Sequence, residues 1–167
     1  MLETPRLRLV RWAERHRLPF RAMLADPAVM ADQGGPLSPR AADAKRLRYA
    51  GALTAGIGRW AIEDEEGFCG YVGAMPAPAG HPLGRHHEIG WRLARAVWGR
   101  GYATEAAGAA LADLFARTVL CEVLAYTAAE NNRSRAVMAR LALRRDRARD
   151  FITAQGWRGL TWVADRP

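Results

Sequence analysis

The clearest chemistry in this sequence lies in Trp98-Gly99-Arg100-Gly101-Tyr102-Ala103-Thr104. Two glycines bracket an arginine where an extended stretch gives way to a helical one. Glycine lacks a Cβ, so the backbone there can come close to a ligand with its N–H groups uncovered. The first N–H groups of a helix have no internal partner and sit at the positive end of its dipole. Such a corner holds a phosphate by backbone geometry, and Arg100 adds a charge and a planar fork of donors. A bare Gly-x-Gly also fits any tight strand-to-helix turn, so the flanking elements decide what it means.

Glu88 to Ala94 reads as the strand that feeds the corner. In the helix that follows, Ala103, Ala106, Ala107, Ala110, Leu111, Leu114 and Phe115 fall on one apolar stripe. The small residues near its start let it approach a sheet closely. Upstream, Arg6 to Val10 alternates basic with apolar residues, the pattern of a half-buried strand. A helix from about Arg17 to Ala25 ends at Asp26-Pro27. A second, with Ser38 as N-cap and Pro39 in its first position, runs to about Leu53. Arg59 to Ile62 and Phe68 to Met75 are strands joined by an acidic turn, and Met75 to Pro82 is a loop. Downstream, Leu120 to Thr127 is a strand, and Asn131 or Asn132 opens a helix to about Leu141. The arginine-rich stretch from Leu143 reads as a strand to Ile152, and Trp157 to Ala164 is the last strand. A long antiparallel meander therefore precedes the corner helix, which can then cross to a parallel strand. No repeat or linker divides the chain, so a single domain over residues 1–167 is expected.

The corner resembles the diphosphate-binding motif of the GNAT superfamily of N-acetyltransferases, Gln/Arg-x-x-Gly-x-Gly/Ala. Trp98 stands where Gln or Arg is commoner. The spelling from Trp98 to Ala106, and the opening Thr4-x-Arg6-Leu7-x-Leu9, look most like the Rim-type ribosomal-protein N-terminal acetyltransferase branch. The resemblance covers nearly the whole chain. It implies an α+β fold: a mixed, mostly antiparallel sheet of about seven strands with about four helices, its two parallel central strands splayed apart. It also implies acetyl-CoA as cosubstrate, with no metal. The pantetheine arm would pair with the backbone of Leu93, Ala94 and Arg95, and the diphosphate would sit on Arg100, Gly101, Tyr102, Ala103 and Thr104. Glu130 to Leu141 resembles the family's Asn-x-x-Ser segment, which brings Asn131 and Ser134 toward the thioester; Asn131 reads equally well as a helix cap. Two positions depart from the pattern. Met138 replaces a tyrosine that many relatives use as acid, and Ala142-Leu143 replaces Gly-Phe. Methionine cannot donate a proton usefully, so the acid role falls to Ser134, to water or to nothing. A thiolate whose thiol has a pKa near 8.5 needs little acid help.

An ammonium cannot attack a thioester. An α-amine loses its proton easily, whereas a lysine amine costs roughly 3.5 kcal/mol more to deprotonate at a pH near 7.8. Glu88 lies on the strand the cofactor would line, where superfamily members often place a catalytic glutamate. Its neighbours Ile89 and Trp91 suggest a partly dry setting that would raise a carboxyl pKa. The alternative is a structural carboxylate paired with an arginine. His86 and His87 are further candidates and, being adjacent on a strand, face opposite ways. The resemblance implies acetyl transfer to a primary amine, a protein N-terminus or a small molecule, by direct attack in a ternary complex. The alternative is a non-catalytic acyl-CoA-binding regulatory module of the same fold. Homodimers are common in the superfamily. The acceptor would be shaped by Arg17 to Leu53, Met75 to Arg85 and Arg149 to Trp157, which show no distinctive charge pattern.

The formal net charge is +8, yet Lys45 is the only lysine, a skew that looks like codon bias rather than selection for a phosphate surface. Arg133, Arg135, Arg140, Arg144, Arg145, Arg147 and Arg149 form either a solvated face or a surface that steers an anion. Nucleic acid is not expected, because the interleaved aromatics that base stacking needs are missing. No apolar run approaches the roughly 20 residues of a membrane helix. The N-terminus carries charges where a signal peptide has its apolar core, so a cytoplasmic protein is expected. Cys69 and Cys121 then read as buried reduced thiols, and no His/Cys pair has metal-ligand spacing.

Overall fold

The computed structural model describes residues 1–54 and 56–167. Its strands are β1 (Leu2–Glu3), β2 (Arg8–Val10), β3 (Trp60–Glu63), β4 (Phe68–Pro76), β5 (His87–Leu93), β6 (Glu122–Thr127), β7 (Arg144–Arg145), β8 (Phe151–Ile152) and β9 (Arg158–Asp165). The helices are α1 (Arg17–Ala25), α2 (Pro27–Met30), α3 (Pro39–Ala52), α4 (Tyr102–Arg117) and α5 (Asn132–Arg140). The strands form one sheet in the order β1-β2-β3-β4-β5-β6-β9-β7, with β8 also paired to β9. Every pairing is antiparallel except β5 with β6.

That parallel pairing is what opens the molecule. β4 and β5 stay in register from Pro76↔His87 to Gly70↔Leu93, whereas β5 and β6 share only Glu88↔Leu124. Past Glu88 the two central strands diverge. The Ala94 N–H donates to Cys69 O at 2.8 Å, one step beyond the Gly70↔Leu93 pair. By the alternation of an antiparallel ladder, the main-chain groups of Leu93 and Trp91 therefore turn away from β4 and into the opening.

Each face of the sheet is covered. On one, Ala106, Ala107, Ala110 and Leu114 of α4 pack on Ile89, Leu93, Val123 and Ala125. The alanines predicted to permit close approach are the contact. On the other, Phe20, Leu24, Met30 and Tyr49 from α1–α3 pack on Val10, Trp12, Ala61 and Tyr71. Truncating a fully buried side chain such as Phe20 to alanine costs about 3–5 kcal/mol at sites of this kind.

The arginine-rich stretch is not one strand to Ile152. Asp146 Oδ1 accepts the Ala148 N–H at 3.1 Å, and Arg149 is drawn to both Asp146 and Glu122. These bonds fold Arg147–Arg149 into a 3-10 turn between β7 and β8. Asp26 ends α1 and also caps α2, accepting the Ala28 N–H at 2.8 Å ahead of which Pro27 takes the first helical position. The short β1 pairs with β2 and has no counterpart in the sequence reading. Cys69 is buried as expected, but Cys121 is exposed just before β6. Among the described residues no helix is long and apolar enough to cross a membrane.

Candidate active site

Gly101 caps α4 with φ 80° and ψ 1°. A left-handed cap of this kind selects glycine by backbone conformation. A Cβ added there would meet only Arg6 Nη2, at 3.4 Å, so space is not the constraint. Gly101 O accepts the N–H groups of Thr104 and Glu105 at 3.1 and 3.2 Å. The N–H groups of Gly101, Tyr102 and Ala103 have no protein acceptor among the described residues. These donors sit at the positive end of a long helix, which is an anion site by construction.

Glu105 would spoil that site by adding negative charge to the first turn, and it is tied back. It accepts Thr4 Oγ1 at 2.6 Å, the Arg6 main-chain N–H at 2.9 Å and Arg6 Nε at 2.8 Å. Burial alone would raise its pKa, but Thr4 and Arg6 outweigh burial and hold the carboxyl below the usual range. Arg6 Nη1 also donates to Arg100 O at 2.8 Å, so the segment between β1 and β2 bolts the corner from behind.

A cleft of about 1300 Å³ runs from this corner into the gap between β5 and β6. Arg100, Arg133 and Arg140 line it, and none of them has a carboxylate partner among the described residues. The Arg133 guanidinium lies 4.1 Å from the Trp98 ring centroid, and the Trp98 indole N–H donates to Leu93 O at 3.0 Å. The unusual tryptophan of the motif is thus a platform for a cleft arginine. Four other arginines of the cluster behave differently. Arg135 bonds to Ala129 O and Asn132 Oδ1, while Arg144, Arg145 and Arg149 pair with Asp165, Asp150 and Glu122.

Of the three residues expected to meet the pantetheine arm, Leu93 lines the cleft, and Trp91 joins it. Ala94 and Arg95 do not line it: the Ala94 N–H faces Cys69, and Arg95 opens the 3-10 turn Arg95–Val97. Tyr102, Ala103, Thr104, Asn131 and Ser134 all line it. Asn131 is both cap and site residue. Its Oδ1 accepts the Ser134 N–H at 3.1 Å, and its Nδ2 donates to Asp32 at 3.3 Å. Asp32 is also gripped by both terminal nitrogens of Arg92, at 2.8 and 3.2 Å.

A second pocket of about 450 Å³ lies on the α1–α3 face. Asp32, Trp91, Arg92, Ser134 and Trp157 line both cavities, so the two meet where β5 and β6 part. Glu88 and Arg92 alternate on that face of β5, and Glu88 lines the second pocket with Arg59, Tyr71 and Tyr126. Arg59 Nη2 donates to Glu88 Oε1 at 2.5 Å, so the arginine partner considered from the sequence is present. Burial, then the neighbouring Glu88 carboxylate, push the Tyr126 hydroxyl well above the usual tyrosine range, so it stays a proton donor. Met138 is 2% exposed and lines the same pocket without a polar group. His86 stacks edge-on with His81, its Nδ1 3.0 Å from Gly84 O, and neither His86 nor His87 lines either cavity. Sequence reasoning missed Tyr126, Trp91 and Asp32. None carried a local signal: Tyr126 reaches the site only because it shares a strand face with Leu124, which the tertiary register sets opposite Glu88.

The chain matches the family described as Acetyltransferase (GNAT) domain over residues 6–144. An acetyltransferase (GNAT family) from Bacillus anthracis superposes with a TM-score of 0.82 at 20% identity, covering 99% of this chain and 98% of that one. An acetyltransferase from Agrobacterium tumefaciens str. C58 gives 0.81 at 25% identity, covering 98% and 92%. RimL, a ribosomal L7/L12 alpha-N-protein acetyltransferase solved in complex with coenzyme A, gives 0.75 at 13% identity, covering 97% and 95%. With the left-handed glycine corner, the splayed strands and this match over most of its length, the chain belongs to the GNAT family of acetyltransferases, enzymes that move an acetyl group from acetyl-CoA onto amines.

Proposed function

We infer that this protein transfers an acetyl group from acetyl-CoA to a primary amine by direct attack within a ternary complex. One observation carries the reading: a large cleft with a phosphate corner meets a smaller pocket at the point where two parallel strands separate. The cleft suits coenzyme A. The free N–H groups of Gly101, Tyr102 and Ala103, with Arg100, would hold the diphosphate. Arg133 and Arg140 supply further positive charge for the anionic end, and the inward main-chain groups of Trp91 and the Leu93 N–H are available to the pantetheine amides, Leu93 O already accepting the Trp98 indole N–H.

The amine enters from the smaller pocket. Its nitrogen attacks the thioester carbon, the C–N bond forms, the C–S bond breaks and the thiolate leaves. Glu88 takes the amine proton, directly or through one water. The Tyr126 and Ser134 hydroxyls are at hand to donate a hydrogen bond to the departing thiolate, in place of the missing tyrosine at Met138, and a thiolate whose thiol has a pKa near 8.5 leaves without a full proton transfer from either. RimL, which shares this fold, was solved in complex with coenzyme A, and this supports coenzyme A as the ligand. The test is calorimetry with acetyl-CoA, followed by thiol release with a mixed panel of amines. A folded protein with no affinity for acetyl-CoA would sink the reading.

A further inference from the structure

The charges around the smaller pocket select among amines. Four cationic side chains line it, Lys45, Arg48, Arg59 and Arg92, against two carboxylates, Asp32 and Glu88. Both carboxylates are spent, Glu88 on Arg59 at 2.5 Å and Asp32 on Arg92 at 2.8 Å. Lys45 and Arg48 have no carboxylate within ion-pair distance among the described residues. They fall at i and i+3 on α3 and so share one helix face. Lys45 Nζ lies 6.0 Å from the ring centroids of both Tyr49 and Tyr71, and the Arg48 guanidinium lies 5.4 Å from that of Tyr49. Burial would raise the Tyr71 hydroxyl, yet Lys45, Arg92 and Arg59 around it bring it below the usual tyrosine range. The pocket is therefore positive as well as aromatic.

This field acts on an incoming amine in two ways. It disfavours the ammonium form and so helps expose the attacking lone pair. It also repels any second ammonium on the same molecule, which would find no free carboxylate to receive it. A carboxylate, by contrast, meets two cations without partners, one of them a planar fork that fits it in two-point fashion.

We propose that the acceptor is a primary amine that carries its own carboxylate, with the carboxylate on Lys45 and Arg48 and the amine toward Glu88. Polyamines are the wrong substrates for this pocket. The proposal rests on the transferase reading above, and its test separates the two. Calorimetry on the full chain saturated with coenzyme A reads the pocket without the chemistry. The probes are free L-glutamate, its diamide, the tripeptides Glu-Gly-Gly and Lys-Gly-Gly, and spermidine. The expected result is binding of the acid roughly tenfold or more tighter than its diamide, with spermidine weakest. In the Lys45→Gln/Arg48→Gln double variant, acid and diamide should bind within about a factor of two. Tighter binding of free glutamate than of Glu-Gly-Gly marks an amino-acid acceptor, and the reverse order marks an acidic protein N-terminus. Equal binding of acid and diamide, binding of neither, or a preference for spermidine overturns the proposal. Thiol release is read separately with acetyl-CoA: selective binding of acids without release would count against transfer and not against the pocket.

Discussion

Arg59 reaches across β4 to Glu88. Its guanidinium donates to the Glu88 carboxylate at 2.5 Å and to the carbonyls of Gly73 and Gly90, while Arg59 itself is 5% exposed. Gly90 leaves the room for this crossing, since a Cβ there would stand 3.1 Å from both Arg59 terminal nitrogens. Glu88 is thus a counter-ion as well as the proposed base. Only Arg59 is buried, the Glu88 side chain being 24% exposed, so removing Glu88 strands a buried charge at a cost below the roughly 3–5 kcal/mol of a fully buried pair.

Glu88→Gln tests which role dominates. Turnover is expected to fall roughly 10²- to 10⁴-fold with acetyl-CoA affinity unchanged. The loss should shrink as pH rises toward the amine pKa, because solvent then removes the proton. A pH–rate profile alongside thermal melts distinguishes the roles. A variant with the parent's rate at every pH but a lower melting temperature would show that Glu88 only neutralises Arg59.

Gly101→Val tests the phosphate corner. Holding a β-branched residue at φ 80° costs of order 1–3 kcal/mol, so the corner should rotate out of its left-handed conformation and misdirect its N–H groups. Acetyl-CoA affinity should be lost while circular dichroism stays native. Undiminished affinity in a folded variant would place the diphosphate elsewhere.

The arginines of α5 give a paired test. Arg133 and Arg140 line the cleft, whereas Arg135 is bonded to Ala129 O and the Asn132 side chain. Arg133→Gln/Arg140→Gln should weaken acetyl-CoA binding and flatten its salt dependence, and Arg135→Gln should change neither. Titrations between low and high salt check this. An equal effect from Arg135→Gln would return the helix to a general electrostatic role.

How far the sequence could be read follows from how local each signal is. The glycine corner, the alanine stripe of α4 and Asn131 with Ser134 are contiguous or helix-periodic, and they were legible. The phase of the β4–β5 ladder is not local. It turns Trp91 and Leu93 toward the cleft and Ala94 away from it. The pocket charges were hidden for a related reason. α3 and its surroundings look like an ordinary solvated face until Arg17 and Arg21 are seen to take Asp43, and Arg46 to take Glu14. Only that tertiary pairing leaves Lys45 and Arg48 over. The Glu88–Arg59 contact likewise joins residues 29 apart in sequence, across an intervening strand.

His16 sets the acid limit of the fold. It is 1% exposed, its Nδ1 accepts the Ala13 N–H at 3.0 Å, and its Nε2 lies 2.8 Å from Glu63 Oε1. With Nδ1 accepting, the proton sits on Nε2, and the neutral ring satisfies both partners. A second proton would have to displace the Ala13 bond. Burial is the largest influence and lowers the imidazole pKa, with the Glu63 hydrogen bond opposing it. The unfolded chain, with histidine near 6.5, therefore binds the extra proton first. Stability should be complete above about pH 6.5 and fall as pH drops through the window below it, by at most about 1.4 kcal/mol per pH unit for this group. Glu63, held low first by the Arg15 hydrogen bond, adds a separate loss only below the ordinary carboxylate range. His81 and His87, both lowered by burial, contribute in the same direction as His16. Urea melts from pH 5 to about 8 should show the slope, and His16→Gln, which keeps a donor for Glu63 and an acceptor for Ala13, should reduce it between about pH 5 and 6.5 without touching the steeper loss at lower pH. An unchanged slope in that variant would assign the titration to His81 and His87 instead.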